Sequence, residues 1–580
     1  MSGAGWIELI FLIALLCIST PLLGNYLAKI YLNKKAPGDR FFLPIENRIY
    51  RLCGIDPDGE QRWSAYMFSM LAFTLVGVLL TYVVLRIQQH LPLNPDHMTD
   101  VAPGLSFNTS ISFGMNTNWQ SYVGETTMSH LSQMFALVWH QFISAAVGMA
   151  LAAAFIRALV RRRQTTLGSF WVDTIRTTLR VLVPLSIVFA VFFMSQGVIQ
   201  NFHASKSVST VATQTVDSSG SVVSAQAIPG GPVASMTPIE ALGTNGGGFF
   251  NVNSAHPFQS PNPLIPVLYC WLMLAIPFAF PWTFGKMIGS MRQGFVVLTA
   301  MGVLFMIGML IVVPVEGAGN NKLGPGVSQA STATHAGGNL EGKDLRIGVA
   351  ASAMMANSAT ATSTGMVDSA HESYTPIGGS VPLFQMMLGE VDPGGTGSGL
   401  YGMLILVFIS VFIAGLMVGR TPEYLGKKVQ GPEVKLAAIY ILVLPFTVLV
   451  FASFAILTSS TLHSLWASGP HGLSELLYTY TSTAHNNGSA FAGISANTQW
   501  YNTTLGLAMM IGRLMLAIPA LAIAGSLVRK RAVPESTGTL RTDTPLFTGL
   551  LIVVTVIITG LTYFPVLALG PLAEHFAGHF

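Results

Sequence analysis

Residues 243–256 read GTNGGGFFNVNSAH, and the three glycines beside Thr244 and Asn245 decide how the whole chain is read. Such a run either cradles the phosphates of a nucleotide or lets the backbone take turns that other residues resist. The phosphate reading needs a strand before the glycines and a GK[ST] ending after them, and the sequence offers neither. Three other stretches share its character: SISFGMNTNWQ (110–120), SATATSTGMVDSAH (358–371) and TSTAHNNGSAFAG (481–493). Two of the four even carry the same ending, VNSAH at 252–256 and VDSAH at 367–371.

Between these polar stretches the chain is strongly apolar. Of its 580 residues 51% are hydrophobic and 9% charged, against roughly 25% charged in a soluble domain. A helix that crosses a lipid bilayer needs about 20 mostly apolar residues. Ten such runs are present, near 6–27, 65–86, 134–160, 179–200, 263–284, 295–315, 378–418, 434–459, 503–528 and 546–569. With the N-terminus outside, the inner loops 28–62, 157–180, 285–293, 419–435 and 529–545 hold 23 of the 29 Lys and Arg residues. That bias predicts a multi-pass protein with both termini on the outer side. Met1–Gly5 carries no basic residue and no small-residue cleavage site follows, so the first run is expected to stay as a span. The net charge of +4 is accounted for by the inner loops and implies no nucleic-acid partner. Cys17, Cys53 and Cys270 are scattered and form neither a disulfide nor a metal pattern.

The four polar stretches all fall between an even-numbered span and the next odd-numbered one, on the outer side. Taking Asn118, Gly246, Gly365 and Gly488 as matched points gives intervals of 128, 119 and 123 residues, which predicts a fourfold repeat of span, re-entrant segment and span. The expected fold is an all-α polytopic membrane protein with ten transmembrane helices and fourfold pseudo-symmetric helix/pore-loop/helix units around a central filter. The expected divisions are an N-terminal span and inner loop (1–62), four repeats (63–163, 164–293, 294–428 and 429–531) and a C-terminal span (532–580). Irregular backbone at membrane depth survives only where protein buries it or where it lines a wet cavity, so the four segments are expected to meet at one axis. Thr237-Pro238-Ile239-Glu240 predicts a short helix beginning at Thr237, with Pro238 first and Glu240 third. The negative end of such a helix, pointing inward, favours a cation.

Rings of backbone carbonyls can replace the water shell of an ion. The candidate ring comprises Asn116, Thr117 and Asn118; Thr244, Asn245 and Gly246; Ser363, Thr364 and Gly365; and Asn486, Asn487 and Gly488. Three triads end in Gly, and Asn118 is the side chain best suited to a left-handed backbone in the fourth. Only Asp368 brings an acid close, so neutral oxygens and a large monovalent cation are expected rather than a calcium-type carboxylate ring. His256, His371 and His485 recur near the motifs, as a metal cluster or as histidines bonded to backbone at the helix mouths. Two features exceed what a plain channel needs. Arg513 lies about 12 residues into the ninth span, ~18 Å down it at ~1.5 Å per residue. Burying it there costs on the order of 3 kcal/mol, so it faces a partner or a wet cavity. The seventh run is interrupted by LGEVDPGGTGSGLYG (388–402), whose Pro393 and five glycines from Gly389 to Gly399 predict an unwound loop. That loop carries Glu390 and Asp392, which attract a cation or pair with Arg513, and it reads as a gate or as a passive kink.

These stretches together, NTNWQ (116–120), LGTNGGGFFN (242–251), GSGLYGM (397–403), GRTPEYLGKK (419–428) and NNGSAFAG (486–493), closely resemble the family of potassium-binding subunits of bacterial Kdp potassium pumps, itself similar to the Trk/Ktr/HKT transporters. The resemblance covers essentially the whole chain. It implies a bacterial inner-membrane complex that takes up potassium at the expense of ATP, with potassium as substrate and no cofactor on this chain. It also implies three partners: a P-type ATPase subunit that hydrolyses the ATP, a single-span accessory subunit and a small single-span peptide subunit. No Asp-Lys-Thr-Gly-Thr phosphorylation motif occurs here. Carried over, the filter falls on the twelve residues named above, with Gln120 and Asn253 flanking it. Glu390 and Arg513 resemble residues at the entrance of a tunnel leading sideways to the ATPase subunit. A stand-alone potassium channel or carrier is the alternative reading.

Overall fold

The computed structural model describes residues 3–209, 215–216, 222–223, 225–324, 326–332, 336–534 and 539–577. Among the described residues ten helices are long and apolar enough to cross a membrane: Gly5–Tyr31, Trp63–Arg86, Ser132–Val160, Phe170–Ser195, Leu264–Ile288, Met291–Gly317, Ser398–Met417, Gly431–Ile456, Gln499–Leu527 and Pro545–Ala577. The chain is a helical, multi-pass membrane protein. Among the described residues strand is confined to short antiparallel pairs, such as Glu423–Tyr424 with Lys427–Lys428. The third and fifth spans are almost wholly surrounded by protein, whereas the first, second and tenth keep most of their surface on the outside, where lipid is the solvent.

The fourth span starts at Phe170, nine residues before its apolar run. Its first turns hold Asp173, Arg176 and Arg180, and these charges find partners that let the helix continue. Arg157 lies 2.5 Å from Asp173, and Arg180 pairs with Asp39 at 2.5 Å and with the fully buried Glu46. The seventh run divides as its composition predicts: helix Pro376–Met387 stops, 388–397 is irregular, and helix Ser398–Met417 resumes. The GRTPEYLGKK stretch forms a tight hairpin that delivers Lys427 between two spans. Its ammonium donates to Ala158 O (2.6 Å), Leu527 O (2.7 Å) and Arg161 O. All three protons are thereby used on carbonyls at the C-terminal ends of the third and ninth spans, where a cation also suits the helix dipoles. Those two spans supply the residues that back the site described next.

Candidate functional site

Each triad is preceded by a short helix: Pro103–Gly114, Val233–Leu242, Val349–Ala361 and Gly469–Ala484. Each triad starts two residues past its helix end, and in each the first residue is left-handed: Asn116 (φ 60°), Thr244 (φ 47°), Ser363 (φ 54°) and Asn486 (φ 60°). The second residue then returns its N–H to the carbonyl five positions back: Thr117 to Ser112 (2.9 Å), Asn245 to Glu240 (3.0 Å), Thr364 to Ala359 (3.0 Å) and Asn487 to Ser482 (2.8 Å). This is the Schellman helix stop, built four times in one register. The third residue is left-handed again in three triads, at Asn118 (φ 55°), Gly246 (φ 86°) and Gly488 (φ 100°), and not at Gly365. Alternation of left- and right-handed residues turns successive carbonyls toward one side of a strand, which is the property a ring of oxygen ligands requires.

The helix expected to start at Thr237 starts instead at Val233, and Pro238 sits inside it. Thr237 is therefore no cap: its hydroxyl donates to Val233 O (2.9 Å). Only the first four N–H groups of a helix lack partners, so Pro238, more than a turn into the helix, forfeits a single backbone bond. Glu240 consequently lies near the helix end beside the triad. Its Oε2 accepts from Gln259 Nε2 (2.9 Å).

The four triads come together. A methyl group on Gly246 would overlap the backbone of Gly365, one on Gly365 the backbone of Gly488, and one on Gly488 the Thr117 carbonyl. The ring closes through Gly247, where a Cβ would sit 2.9 Å from that of Asn118. Gly365 thus owes its lack of a side chain to close approach, and Gly246 and Gly488 to both close approach and backbone angle. Side chains lace adjacent segments. Asn116 Nδ2 donates to Thr244 O (2.9 Å), Asn118 Nδ2 to Asn245 Oδ1 (3.2 Å), Asn486 Nδ2 to Thr117 Oγ1 (2.8 Å), and Asn487 Nδ2 to Ala359 O (3.0 Å). Asn253 Nδ2 donates to Gly246 O (2.6 Å), and Gln120 lies beside Gly247, 3.1 Å from the place its Cβ would occupy. The third span, which sequence reading left out of the site, backs the ring. Gln141 Nε2 donates to Gly247 O (2.7 Å) and Ser144 Oγ to Asn116 Oδ1 (2.7 Å).

The irregular 388–397 segment lies against the second and third triads. Thr396 N donates to Thr244 Oγ1 (3.1 Å), Gly394 N to Ala361 O (2.8 Å), and Ser363 Oγ to Glu390 Oε2. Arg513 reaches toward Ser144 O (3.5 Å) and the neighbourhood of Gly148. Among the described residues Arg513 forms no ion pair with Glu390 or Asp392, and Glu390 Oε1 has no hydrogen-bond partner. Asp392 is fully buried and neither of its oxygens has a hydrogen-bond partner among the described residues. The three histidines go separate ways. His256 stacks on Phe250 (3.6 Å, 10°) and accepts from Phe258 N (3.1 Å). His485 Nδ1 donates to Thr481 O (2.9 Å). His371 bonds the Tyr478 hydroxyl (2.7 Å) rather than backbone. Above the ring opens a cavity of about 1140 Å³, whose walls include Gln120, Asn251, Asp368 and Ala490.

The family model described as "Potassium-transporting ATPase A subunit" matches residues 9–576. A protein of Mycobacterium tuberculosis called "Potassium-transporting ATPase potassium-binding subunit" is 54% identical over 577 residues, covering 99% of both chains. Proteins of the same name from Solibacter usitatus and Sorangium cellulosum are each 49% identical, over 579 and 577 residues and at least 99% of either chain.

Proposed function

Since the chain belongs to the potassium-transporting ATPase A subunit family, we propose that it binds external potassium in the ring of four triads and passes it to a partner P-type ATPase subunit for ATP-driven uptake. The observation that carries this reading is the fourfold recurrence of one helix stop, with the four ends closed on each other through Gly246, Gly365, Gly488 and Asn118. Neutral carbonyls held at fixed spacing replace the hydration shell of a large monovalent ion. The filter comprises Asn116, Thr117, Asn118, Thr244, Asn245, Gly246, Ser363, Thr364, Gly365, Asn486, Asn487 and Gly488, with Gln120 and Asn253 fixing its outer edge. The repeats run over 63–163, 164–293, 294–428 and 429–531, between terminal spans in 1–62 and 532–580. The protein resides in the bacterial inner membrane with both termini outside. A single-span accessory subunit and a small single-span peptide complete the complex.

The 388–397 segment obstructs a straight path inward, since its hydrogen bonds fasten it to two of the four triads. Arg513 adds a positive charge at that level, and Glu390 and Arg513 together direct the ion sideways. The test is affinity purification of the chain with its partners, followed by reconstitution into liposomes. Rubidium uptake that requires ATP, with potassium-stimulated ATP hydrolysis in the purified complex, is the expected result. Rapid ATP-independent flux through the chain alone, with no ATPase co-purifying, would instead establish a stand-alone channel or carrier.

A further inference from the structure

His371 is completely buried, as is Tyr478, yet neither belongs to a triad. A chain of short hydrogen bonds leads from them into the ring: His371 Nδ1 to Tyr478 OH (2.7 Å), Tyr478 OH to Ser489 Oγ (2.8 Å), Ser489 Oγ to Asn487 Oδ1 (2.6 Å), and Asn487 Nδ2 to Ala359 O (3.0 Å). The direction of every bond follows from the donors available. The Ser489 backbone N–H also points at the same Asn487 side-chain atom (3.1 Å), so that atom is oxygen and the other is the amide nitrogen. Ser489 must spend its one proton on this oxygen, so its own oxygen accepts from Tyr478. Tyr478, its proton spent in turn, accepts from His371. The imidazole therefore carries its proton on Nδ1 and donates inward. Burial, helped by the Lys343 ammonium nearby, keeps it neutral by pushing its pKa down to about 3.

The far end of the chain is informative. Ala359 O, which receives Asn487 Nδ2, is the same carbonyl that receives Thr364 N in the third helix stop. His371 itself stands on the outward limb of that third segment, and its neighbour Glu372 donates N–H to Phe491 O (2.8 Å) on the fourth. The third and fourth segments are thus closed into one hydrogen-bonded loop. Tyr478 is further pinned by Phe491, whose ring centroid lies 4.7 Å away.

We propose that His371 and Tyr478 are positioning residues for ion selectivity: by a one-way relay of donors they fix the Asn487 amide, and with it the spacing between the third and fourth quarters of the ring. The proposal rests on the filter reading above. Its test uses the purified, assembled complex and measures potassium- against rubidium-stimulated ATP hydrolysis together with the thermal midpoint. His371→Leu and Tyr478→Phe remove a donor without removing bulk. Each is expected to lower the apparent potassium affinity and the potassium-over-rubidium preference by ~2- to 10-fold, the factor carried by one net hydrogen bond. His371→Asn, whose amide nitrogen falls where Nδ1 stood, restores both. Gly246→Ala and Gly488→Ala serve as references that disturb the ring directly. If these lose the preference while His371→Leu and Tyr478→Phe keep it, the proposal is overturned. It is equally overturned if His371→Asn is as impaired as His371→Leu and the thermal midpoint falls in step, since the role is then structural only. If the glycine variants also keep the preference, the filter reading itself fails.

Discussion

At Thr244 and Ser363 the backbone holds φ of 47° and 54°, angles at which glycine is the residue of least strain. Glycine is absent from both places because each hydroxyl is used: Thr244 Oγ1 accepts from Thr396 N, and Ser363 bonds Glu390. The strain, of order 1 kcal/mol per site, is retained for contacts that join the ring to the segment beneath it. Thr244→Gly is accordingly expected to leave the thermal midpoint of the purified complex unchanged while weakening potassium stimulation of ATP hydrolysis. Gly246→Ala, whose methyl group has no room, is expected to lower both, with at least a ~10-fold loss of apparent affinity. A stable Gly246→Ala complex with unaltered affinity would contradict this account of the residue. The triads were readable in the sequence because Gly, Asn, Ser and Thr cluster wherever backbone must turn outside helix and strand. Ser144, Gln141 and Thr396 were not, because each reaches the ring through contacts that only the fold creates, Gln141 and Thr396 from more than a hundred positions away in sequence and Ser144 from 28.

Among the elements, the short helices ending at the triads carry the design, and the start of the second one shows where local signals mislead. Thr237-Pro238-Ile239-Glu240 has every mark of a helix beginning, but the helix had already begun at Val233. Burial on all sides outweighed the local preference of a proline. The interruption of the seventh span was legible because proline with five glycines leaves no helical alternative. Its docking against two triads was not. The fourth short helix is tied to the C-terminal segment by His471 and Glu574, 3.0 Å apart, and Lys322 Nζ donates to Glu574 O (2.8 Å). Burial alone would lower the His471 pKa, but the bond and charge of Glu574, aided by Glu475 and Glu372, raise it above the usual histidine value. A histidine raised in the folded state stabilises fully below its ordinary pKa and ceases to do so as pH rises through the raised value. Amide exchange of 573–577, corrected for its intrinsic pH dependence, is therefore expected to accelerate across that rise. The step should vanish in His471→Gln. A step that persists in that variant would remove His471 from the account.

For the molecule as a whole, the number of spans and their order could be read from apolar runs of bilayer length, because the bilayer imposes that length on every helix that crosses it. What the runs do not contain is which spans are central. The third and fifth are enclosed by protein and the first and tenth face outward, although all four are similarly apolar. The ring inherits its rigidity from that enclosure: Lys427 pins the third and ninth spans together, the third span supports Asn116 and Gly247, and Met509 O on the ninth accepts from Asn486 Nδ2 (2.8 Å). The central claim is that the four triads enclose the transported ion. Anomalous diffraction or difference density from the assembled complex loaded with rubidium in place of potassium tests it most directly. The account predicts a rubidium peak inside the ring formed by Asn116–Asn118, Thr244–Gly246, Ser363–Gly365 and Asn486–Gly488, which potassium abolishes in competition. An empty ring, with rubidium bound instead beside Glu390 and Asp392, would contradict it.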